Sequence, residues 1–130
     1  MDVSGHSTVA NPSLSDSGEK KVAWARSRMP ALAALRESAE HNLPLKGQRV
    51  AGCLHVTKET AVLIETISAA GAEISWSGCN PLSTQDDVAA WLAREGYGVH
   101  AWHGQSTDDF YSCLLYTYPS PRDATLSRMA

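Results

Sequence analysis

The chain has 130 residues, of which 43% are hydrophobic and 19% are charged, and its formal net charge is −3. This length suits one domain with a single core, and the lack of a basic excess argues against a partner such as nucleic acid or anionic lipid. No apolar run approaches the roughly 18 residues of a membrane-spanning helix, and the residues after Met1 lack the pattern of a signal peptide. We therefore expect a cytoplasmic protein with no nucleic-acid or membrane partner.

The first 42 residues divide into a polar tail and a helical segment. Residues 1–17 contain five serines and few large apolar side chains, so we predict a mobile tail there. From residue 18 onward, apolar residues recur at the three- and four-residue steps of one helical face. They are Val22, Ala25, Met29, Leu32, Leu35 and Ala39. Pro30 removes a backbone donor and should divide the segment into two helices, the first capped by Asp16 or Ser17.

The middle of the chain repeats one pattern, of which the first cycle is the clearer. Residues 48–56 are a short apolar run suited to a buried strand. Residues 57–70 are apolar nearly all round, which is typical of a helix packed between a sheet and another surface. Thr57 would cap this helix, and Gly71 would close it in the left-handed conformation. Residues 72–77 predict the next strand.

The second cycle completes the prediction of the fold. Ser83 would cap a helix that ends at Gly96, and residues 97–102 would begin a third strand. Alternating strands and helices indicate right-handed βαβ units, in which helices cover a parallel sheet. We therefore predict an α/β fold: a partial parallel sheet with βαβ units, Rossmann-like or flavodoxin-like, preceded by an amino-terminal helical segment.

Polar side chains follow two of the predicted strands, at the edge where open parallel sheets bind ligands. His55, Thr57 and Glu59 follow the first strand, and the residues after the second are Cys79, Asn80, Ser83 and Thr84. Taken singly, a histidine here is more often structural, Thr57 a helix cap and Glu59 a partner of the helix dipole. Their convergence favours a ligand site, because a carboxylate suits an exocyclic amine and an imidazole transfers protons near neutral pH.

Three other patterns point to no cofactor or metal. Gly96-Tyr97-Gly98 lacks the third glycine and the following helix of a dinucleotide fingerprint, so we interpret it as a loop. His100 and His103 have no third ligand at a suitable spacing, and we predict no metal site. The cysteines have no CxxC spacing and predict free, mostly buried thiols rather than disulfides or a zinc site. They are Cys53, Cys79 and Cys113.

Two segments resemble the adenosylhomocysteinase family. They are residues 53–66 (CLHVTKETAVLIET) and residues 79–86 (CNPLSTQD), and the supporting matches are Gly71-Ala72-Glu73 and Ala101-Trp102. The resemblance runs from about Lys20 to Tyr111, and it identifies residues 18–111 as part of the family's substrate-binding domain. Trp91 stands where the second signature usually has a small residue. This difference affects the expected packing around the helix and leaves the family assignment in place.

The resemblance implies a reaction, a cofactor and roles for the polar residues. Family members are hydrolases of one-carbon metabolism that reversibly split S-adenosyl-L-homocysteine into adenosine and L-homocysteine. Tightly held NAD oxidises the ribose 3′-hydroxyl, which makes the C4′ proton acidic. By carry-over, Thr57 and Glu59 would hold the nucleoside, with Glu59 at the adenine amine, and His55 would act catalytically in proton transfer. The residues expected nearer homocysteine are Cys79, Asn80 and Ser83.

The resemblance also implies what this chain does not supply. The NAD-binding Rossmann domain, a lysine near the 3′-hydroxyl and much of the surface of a homotetramer belong to later segments of the family. We therefore expect a fragment without cofactor-binding residues that is inactive alone. Residues 112–130 abandon the pattern and resemble translated sequencing-adapter DNA, so we expect a foreign or disordered tail. A genuine proline-rich tail is the alternative.

Two other functions remain open from the sequence. A regulatory homologue would keep the fold and act by binding partners, with the serine-rich start as its interaction segment. A generic flavodoxin-like binding domain is a weaker alternative. An intact downstream lysine and a glycine-rich NAD turn would favour the enzyme over the regulator.

Overall fold

The structure, a computed structural model, describes residues 2–4 and 7–116. The strands are β1 (Asp2–Ser4), β2 (Ser7–Val9), β3 (Arg49–Cys53), β4 (Glu73–Ser77) and β5 (Gly98–His100). The α-helices are α1 (Ser15–Ser27), α2 (Pro30–Asn42), α3 (Lys58–Ala69), α4 (Asp86–Arg94) and α5 (Thr107–Tyr116), and a short 3₁₀ helix spans Pro12–Leu14. The predicted α/β fold with an amino-terminal helical segment is confirmed.

Five strands form one sheet in the order β1-β2-β5-β4-β3. The pairs β2–β5, β5–β4 and β4–β3 are parallel, and β1 is antiparallel to β2. Cys53 pairs in register with Ser77, and Ser77 with His100, so three strands end at the same level. The loops that follow these strands therefore leave the sheet along one edge.

The core lies between the sheet and its covering helices. Helix α4 packs against α1 and against β2 and β5, and α3 packs against α1, α2 and β4. Buried residues of the core include Val22, Val56, Ile64, Trp76, Val88, Trp91, Leu92 and Val99. Trp91 is only 4% exposed, so the core accommodates the large residue that departs from the family signature.

The predicted break at Pro30 is confirmed. Helix α1 ends at Ser27, and Pro30 is in the first turn of α2, where its missing N–H has no helical partner to lose. The predicted apolar face is only partly buried, because Leu35 is 56% exposed. Helix α2 contacts α3 along one side, where Ala39 is buried.

Residues 2–4 and 7–17, which fall in the predicted mobile tail, lie mostly in regular structure. Strand β2 lies between β1 and β5, and its side chains are buried. The Ser7 hydroxyl donates to the Tyr97 carbonyl at 2.7 Å and accepts from the Val99 N–H at 3.0 Å. These bonds give the buried Ser7 hydroxyl both a donor and an acceptor, so a polar strand can lie inside the sheet. Helix α1 begins at Ser15, which places Asp16 and Ser17 inside the helix instead of at its cap.

The first predicted strand is shorter and more exposed than expected. Strand β3 covers five residues instead of 48–56, and its side chains alternate between exposed and half-buried. The prediction of a buried strand is wrong: among the described strands β3 is the last in the sheet order, next to β4.

The last helix starts as predicted and crosses the expected boundary at residue 112. The Ser106 hydroxyl accepts the Asp109 N–H at 3.1 Å, which caps α5. Residues 117–130, most of the expected foreign tail, lie outside the described residues. No helix in the described part of the chain is long and apolar enough to cross a membrane.

Candidate functional site

Backbone hydrogen bonds join the two predicted polar loops at the carboxyl ends of β3 and β4. The Leu54 N–H donates to the Ser77 carbonyl at 3.3 Å, and the Gln85 N–H donates to the Val56 carbonyl at 2.9 Å. The first loop leads into α3 and the second into α4. The predicted convergence of the two loops is therefore present in the backbone itself.

Gln85 also fixes the start of α3 through its side chain. Its Oε1 accepts the Lys58 N–H at 3.2 Å, and so it satisfies one of the amides that a helix start leaves without a partner. Thr57 is the residue before α3, but its side chain makes no capping bond; its hydroxyl lies 3.4 Å from that of Thr60. The prediction that the Thr57 side chain caps this helix is wrong, and the half-buried hydroxyl remains beside the loop edge.

His55 and Glu59 are both exposed on this edge. The backbone carbonyl of His55 accepts the Thr57 N–H at 3.0 Å, a tight turn between β3 and α3. Glu59 lies in the first turn of α3, where a negative charge favours the helix dipole. The imidazole, the Thr57 hydroxyl and the Glu59 carboxylate therefore belong to one short segment at the helix start.

The Glu59 carboxylate is held in its charged form. Desolvation by itself would raise the pKa of Glu59, but the backbone N–H of Glu59 and the Lys58 ammonium lower it overall. The Lys58 Nζ lies 3.2 Å from Glu59 Oε1, and it also lies 5.6 Å from the centroid of the Trp24 ring. A charged carboxylate in this position can accept hydrogen bonds from a ligand amine.

Replacing Lys58 with methionine should raise the pKa of Glu59 toward the ordinary value of a glutamate, because the nearest positive charge is lost. A pH titration of the side-chain carboxyl ¹³C shift of Glu59 measures the change. Lys46→Met, which removes an exposed lysine from another loop, is the matched control and should leave this pKa in place. An unchanged Glu59 titration in Lys58→Met would contradict the assigned cause.

The second loop carries three more of the predicted residues. Cys79 and Asn80 are exposed and Ser83 is half-buried. The Asn80 Oδ1 accepts the Leu82 N–H at 2.7 Å, and the Ser83 hydroxyl donates to the Asn80 carbonyl at 3.3 Å. Ser83 therefore shapes the loop and does not cap α4, which begins at Asp86; that part of the prediction is wrong.

A third loop, after β5, extends the same edge. The Gly104 N–H donates to the Pro81 carbonyl at 2.8 Å, and the His103 N–H donates to Asp86 Oδ1 at 2.9 Å. His100 is buried, and its Nδ1 lies 3.4 Å from the Thr8 hydroxyl. Within residues 2–4 and 7–116, no group of three histidine, cysteine or acidic side chains is arranged to hold a metal ion.

Gln85 is the site residue that sequence reasoning did not assign. It lies 27 positions after Lys58, so the capping bond between them depends on the packing of two loops. The only sequence signal is its place in residues 79–86, the segment that carries the resemblance.

The glycine pair after α4 does not fit NAD. Gly96 has a φ of +90° and follows the helix, so Gly96-Tyr97-Gly98 leads from a helix into β5. A dinucleotide fingerprint places its glycines between a strand and the helix whose start receives the pyrophosphate. The interpretation as a loop holds for Gly96 and Tyr97, whereas Gly98 is the first residue of β5.

A parallel α/β sheet with linked polar loops at its carboxyl edge defines the class of domain that binds a small molecule at that edge. Residues 6–129 match the family model described as S-adenosyl-L-homocysteine hydrolase. The chain belongs to this family, which confirms the resemblance found in the sequence. The match extends beyond residue 112, and the predicted foreign origin of residues 112–130 stays a prediction.

Several curated relatives are similar to the chain. It is 52% identical over 103 residues to an adenosylhomocysteinase of Sulfolobus acidocaldarius, covering 79% of this chain and 25% of that protein. It is 47% identical over 107 residues to an S-inosyl-L-homocysteine hydrolase of Methanopyrus kandleri, covering 82% and 25%. An adenosylhomocysteinase of Pyrobaculum aerophilum is 49% identical over 108 residues, covering 83% and 25%. The chain therefore spans about a quarter of the length of these relatives.

Proposed function

We propose that this chain forms one wall of the nucleoside site of an enzyme that reversibly hydrolyses S-adenosyl-L-homocysteine to adenosine and L-homocysteine. The observation that carries the proposal is the start of α3, where Thr57 and the charged Glu59 stand beside a loop fixed by Gln85. The family membership and the names of the relatives support the reaction.

The proposed roles follow from the chemistry of the exposed groups. The Glu59 carboxylate accepts a hydrogen bond from the exocyclic amine of adenine, and the Thr57 hydroxyl binds the nucleoside. His55, which is exposed between β3 and α3, assists proton transfer near the sugar and the leaving group. The residues proposed for the homocysteine side are Cys79, Asn80 and Ser83, which follow the neighbouring strand.

The remaining parts of the proposal lie outside this chain. NAD supplies the redox chemistry of the family, but the described residues do not fit it, so other segments of a longer protein would hold it. We therefore propose that the 130 residues alone are inactive. A cytoplasmic homotetramer acting in one-carbon metabolism is part of the same proposal, which rests on family membership.

A second candidate substrate is S-inosyl-L-homocysteine, because one relative carries that name. Hypoxanthine has a carbonyl oxygen where adenine has its amine, and a charged carboxylate repels that oxygen. An ionised carboxylate at Glu59 therefore favours the adenine amine over the hypoxanthine carbonyl. The relatives are named as hydrolases, which gives no support to a regulatory homologue or a generic binding domain.

Binding of adenosine and inosine to the isotopically labelled, full 130-residue chain tests the proposal. Adenosine should shift the amide NMR signals of Thr57, Glu59 and Gln85, and it should bind more tightly than inosine. Glu59→Gln should weaken adenosine binding about tenfold, because a hydrogen bond to a charged acceptor is lost.

Glu73→Gln is the matched control, since Glu73 is an exposed carboxylate at the opposite end of β4. It should leave both affinities unchanged. Equal binding of adenosine and inosine before and after Glu59→Gln would contradict the role of Glu59. Hydrolysis of S-adenosyl-L-homocysteine by the chain alone would contradict the proposed division of the enzyme.

A further inference from the structure

We propose that Cys53 and Cys79 form an oxidation site, at which a hydroperoxide converts the two thiols into a disulfide that links the two loops of the candidate site. Cys113, the third cysteine, would take no part in this reaction. The inference rests on the positions of the thiols at the ends of neighbouring strands.

The strand register brings the two residues close together. Cys53 is the last residue of β3 and pairs with Ser77, the last residue of β4, and Cys79 follows two positions later. The Cys53 thiol donates to the Gly78 carbonyl, with Sγ 3.5 Å from the oxygen. In a trans peptide the carbonyl oxygen lies about 2.8 Å from the next Cα, so the Cys53 Sγ is at most about 6.3 Å from the Cys79 Cα.

Formation of the bond requires Cys79 to move toward β3, because a disulfide needs the two Cα atoms about 4.4–6.8 Å apart and the two sulfur atoms in direct contact. Cys53 is fixed by the strand, whereas Cys79 lies in the loop between β4 and α4, where both Cys79 and Asn80 are exposed. The loop residue can therefore turn toward the strand residue without disturbing the core.

Exposure separates this pair from the third cysteine. Cys53 and Cys79 are exposed, so the prediction of mostly buried thiols is wrong for them. Cys113 is 1% exposed, and its sulfur accepts a hydrogen bond from the Gln105 side-chain amide at 3.3 Å. Burial raises the pKa of Cys113 to about 11, which keeps it in the unreactive thiol form. Cys113 is therefore an internal control.

The electrostatics also indicate that the pair interacts. Burial around the sulfur is the main cause that raises the pKa of Cys53, and a negative charge on Cys79 raises it further. A charge on Cys79 acts at Cys53 because the two residues lie at or just beyond the ends of strands that pair in register.

The reaction is balanced with hydrogen peroxide as the oxidant. The thiolate of one cysteine attacks a peroxide oxygen, so that an S–O bond forms, the O–O bond breaks and the departing hydroxide takes a proton to become water. The sulfur of the second cysteine then attacks the sulfenic sulfur. The S–S bond forms, the S–O bond breaks and a second water leaves. Two electrons pass from the thiols to the peroxide.

The functional consequence rests on the proposed function. Cys79 would be drawn toward β3, on the side assigned to homocysteine, and the loop that carries Gln85 would be tied to the strand before His55. We expect the oxidised chain to bind adenosine more weakly than the reduced chain, with dithiothreitol restoring the original affinity.

Peroxide treatment of the full chain, followed by thiol blocking and peptide mass spectrometry, tests the inference. The chain should lose the mass of two hydrogens, and one cross-linked peptide pair should contain residues 53 and 79. Cys53→Ser and Cys79→Ser should each abolish this mass loss, and the variant that keeps the peroxide-reactive thiol should leave a sulfenic acid that dimedone traps. Cys113→Ser should leave the cross-link unchanged.

The two possible failures are distinguishable. Oxidation of both thiols without an intramolecular S–S bond, or a cross-link to Cys113, would overturn the oxidation site, whatever the chain binds. Absence of adenosine binding to the reduced chain would overturn the proposed function and leave the mass result intact. Since the mass measurement uses the unmodified sequence, it does not depend on the folding of any variant.

Discussion

Replacing Arg26 and Arg36 together with methionine should lower the free energy of unfolding by about 3–5 kcal/mol, because a buried carboxylate then loses its partners. The Glu65 side chain is only 7% exposed. Arg26 binds both of its oxygens, with Nε 3.0 Å from Oε2, and the Arg36 Nη1 lies 3.3 Å from Oε2. The loss is measured by urea denaturation.

The matched comparison is Glu65→Gln, which should cost less than the double replacement. Both arginine side chains are about 40% exposed, so water can solvate them when the carboxylate is gone. The double replacement should therefore lower the free energy of unfolding more than Glu65→Gln does, because an unpaired charge destabilises the fold more when it is buried than when water solvates it. A larger loss in Glu65→Gln than in the double variant would contradict it, and Arg26→Met alone gives an intermediate variant.

Gly18→Ala should destabilise the chain by about 3 kcal/mol, although glycine to alanine normally stabilises a helix. A β-carbon at Gly18 would overlap the backbone carbonyl oxygen of Asp87 and lie 2.9 Å from the Cβ of Trp91. The obstacle is the backbone of α4, which no rotamer change can move aside. Helices α1 and α4 would have to separate.

Thermal and urea unfolding of Gly18→Ala measure this effect. Ala23→Gly, at an exposed position of the same helix, should cost only about 1 kcal/mol from helix propensity. Comparing the two variants separates the effect of close helix packing from the effect of helix propensity. If Gly18→Ala were as stable as the original chain, the close approach of α1 to α4 would be wrong.

Much of the fold could be predicted from local patterns. The break at Pro30 is fixed by the chemistry of proline, and Gly71 and Gly96 end their helices with φ values of +102° and +90°. Apolar periodicity predicted α3 and α4 because each helix has a face that the core must bury. These features depend on residues close in the sequence.

The features that sequence reasoning missed depend on distant partners. Strand β2 contains Ser7 and Thr8, which resemble a polar tail until β5, about 90 positions later, satisfies them. The exposure of β3 depends on its place in the strand order, which its apolar sequence does not specify. The apolar pattern of residues 57–70 gives no sign of a buried ion pair at Glu65, because its arginine partners lie on α1 and α2.

The positions of the candidate residues could be predicted from the sequence, but their hydrogen bonds could not, and their role in binding stays a prediction. The topology of parallel strands was sufficient to bring His55, Thr57 and Glu59 beside the second loop. The capping bond belongs to Gln85 instead of Thr57, and Ser83 binds its own loop instead of capping α4. Several polar residues near a helix start can act as its cap, and the local sequence does not distinguish them. The three-dimensional arrangement determines which one makes the bond.

The position of β3 has a consequence for how the isolated chain behaves at high concentration. Within residues 2–4 and 7–116, β3 is the last strand in the sheet order and pairs with β4, and a strand in such a position favours addition of a strand from another molecule. Two such edges on different molecules can join and begin aggregation. Purification at low protein concentration is therefore preferable for every measurement described above.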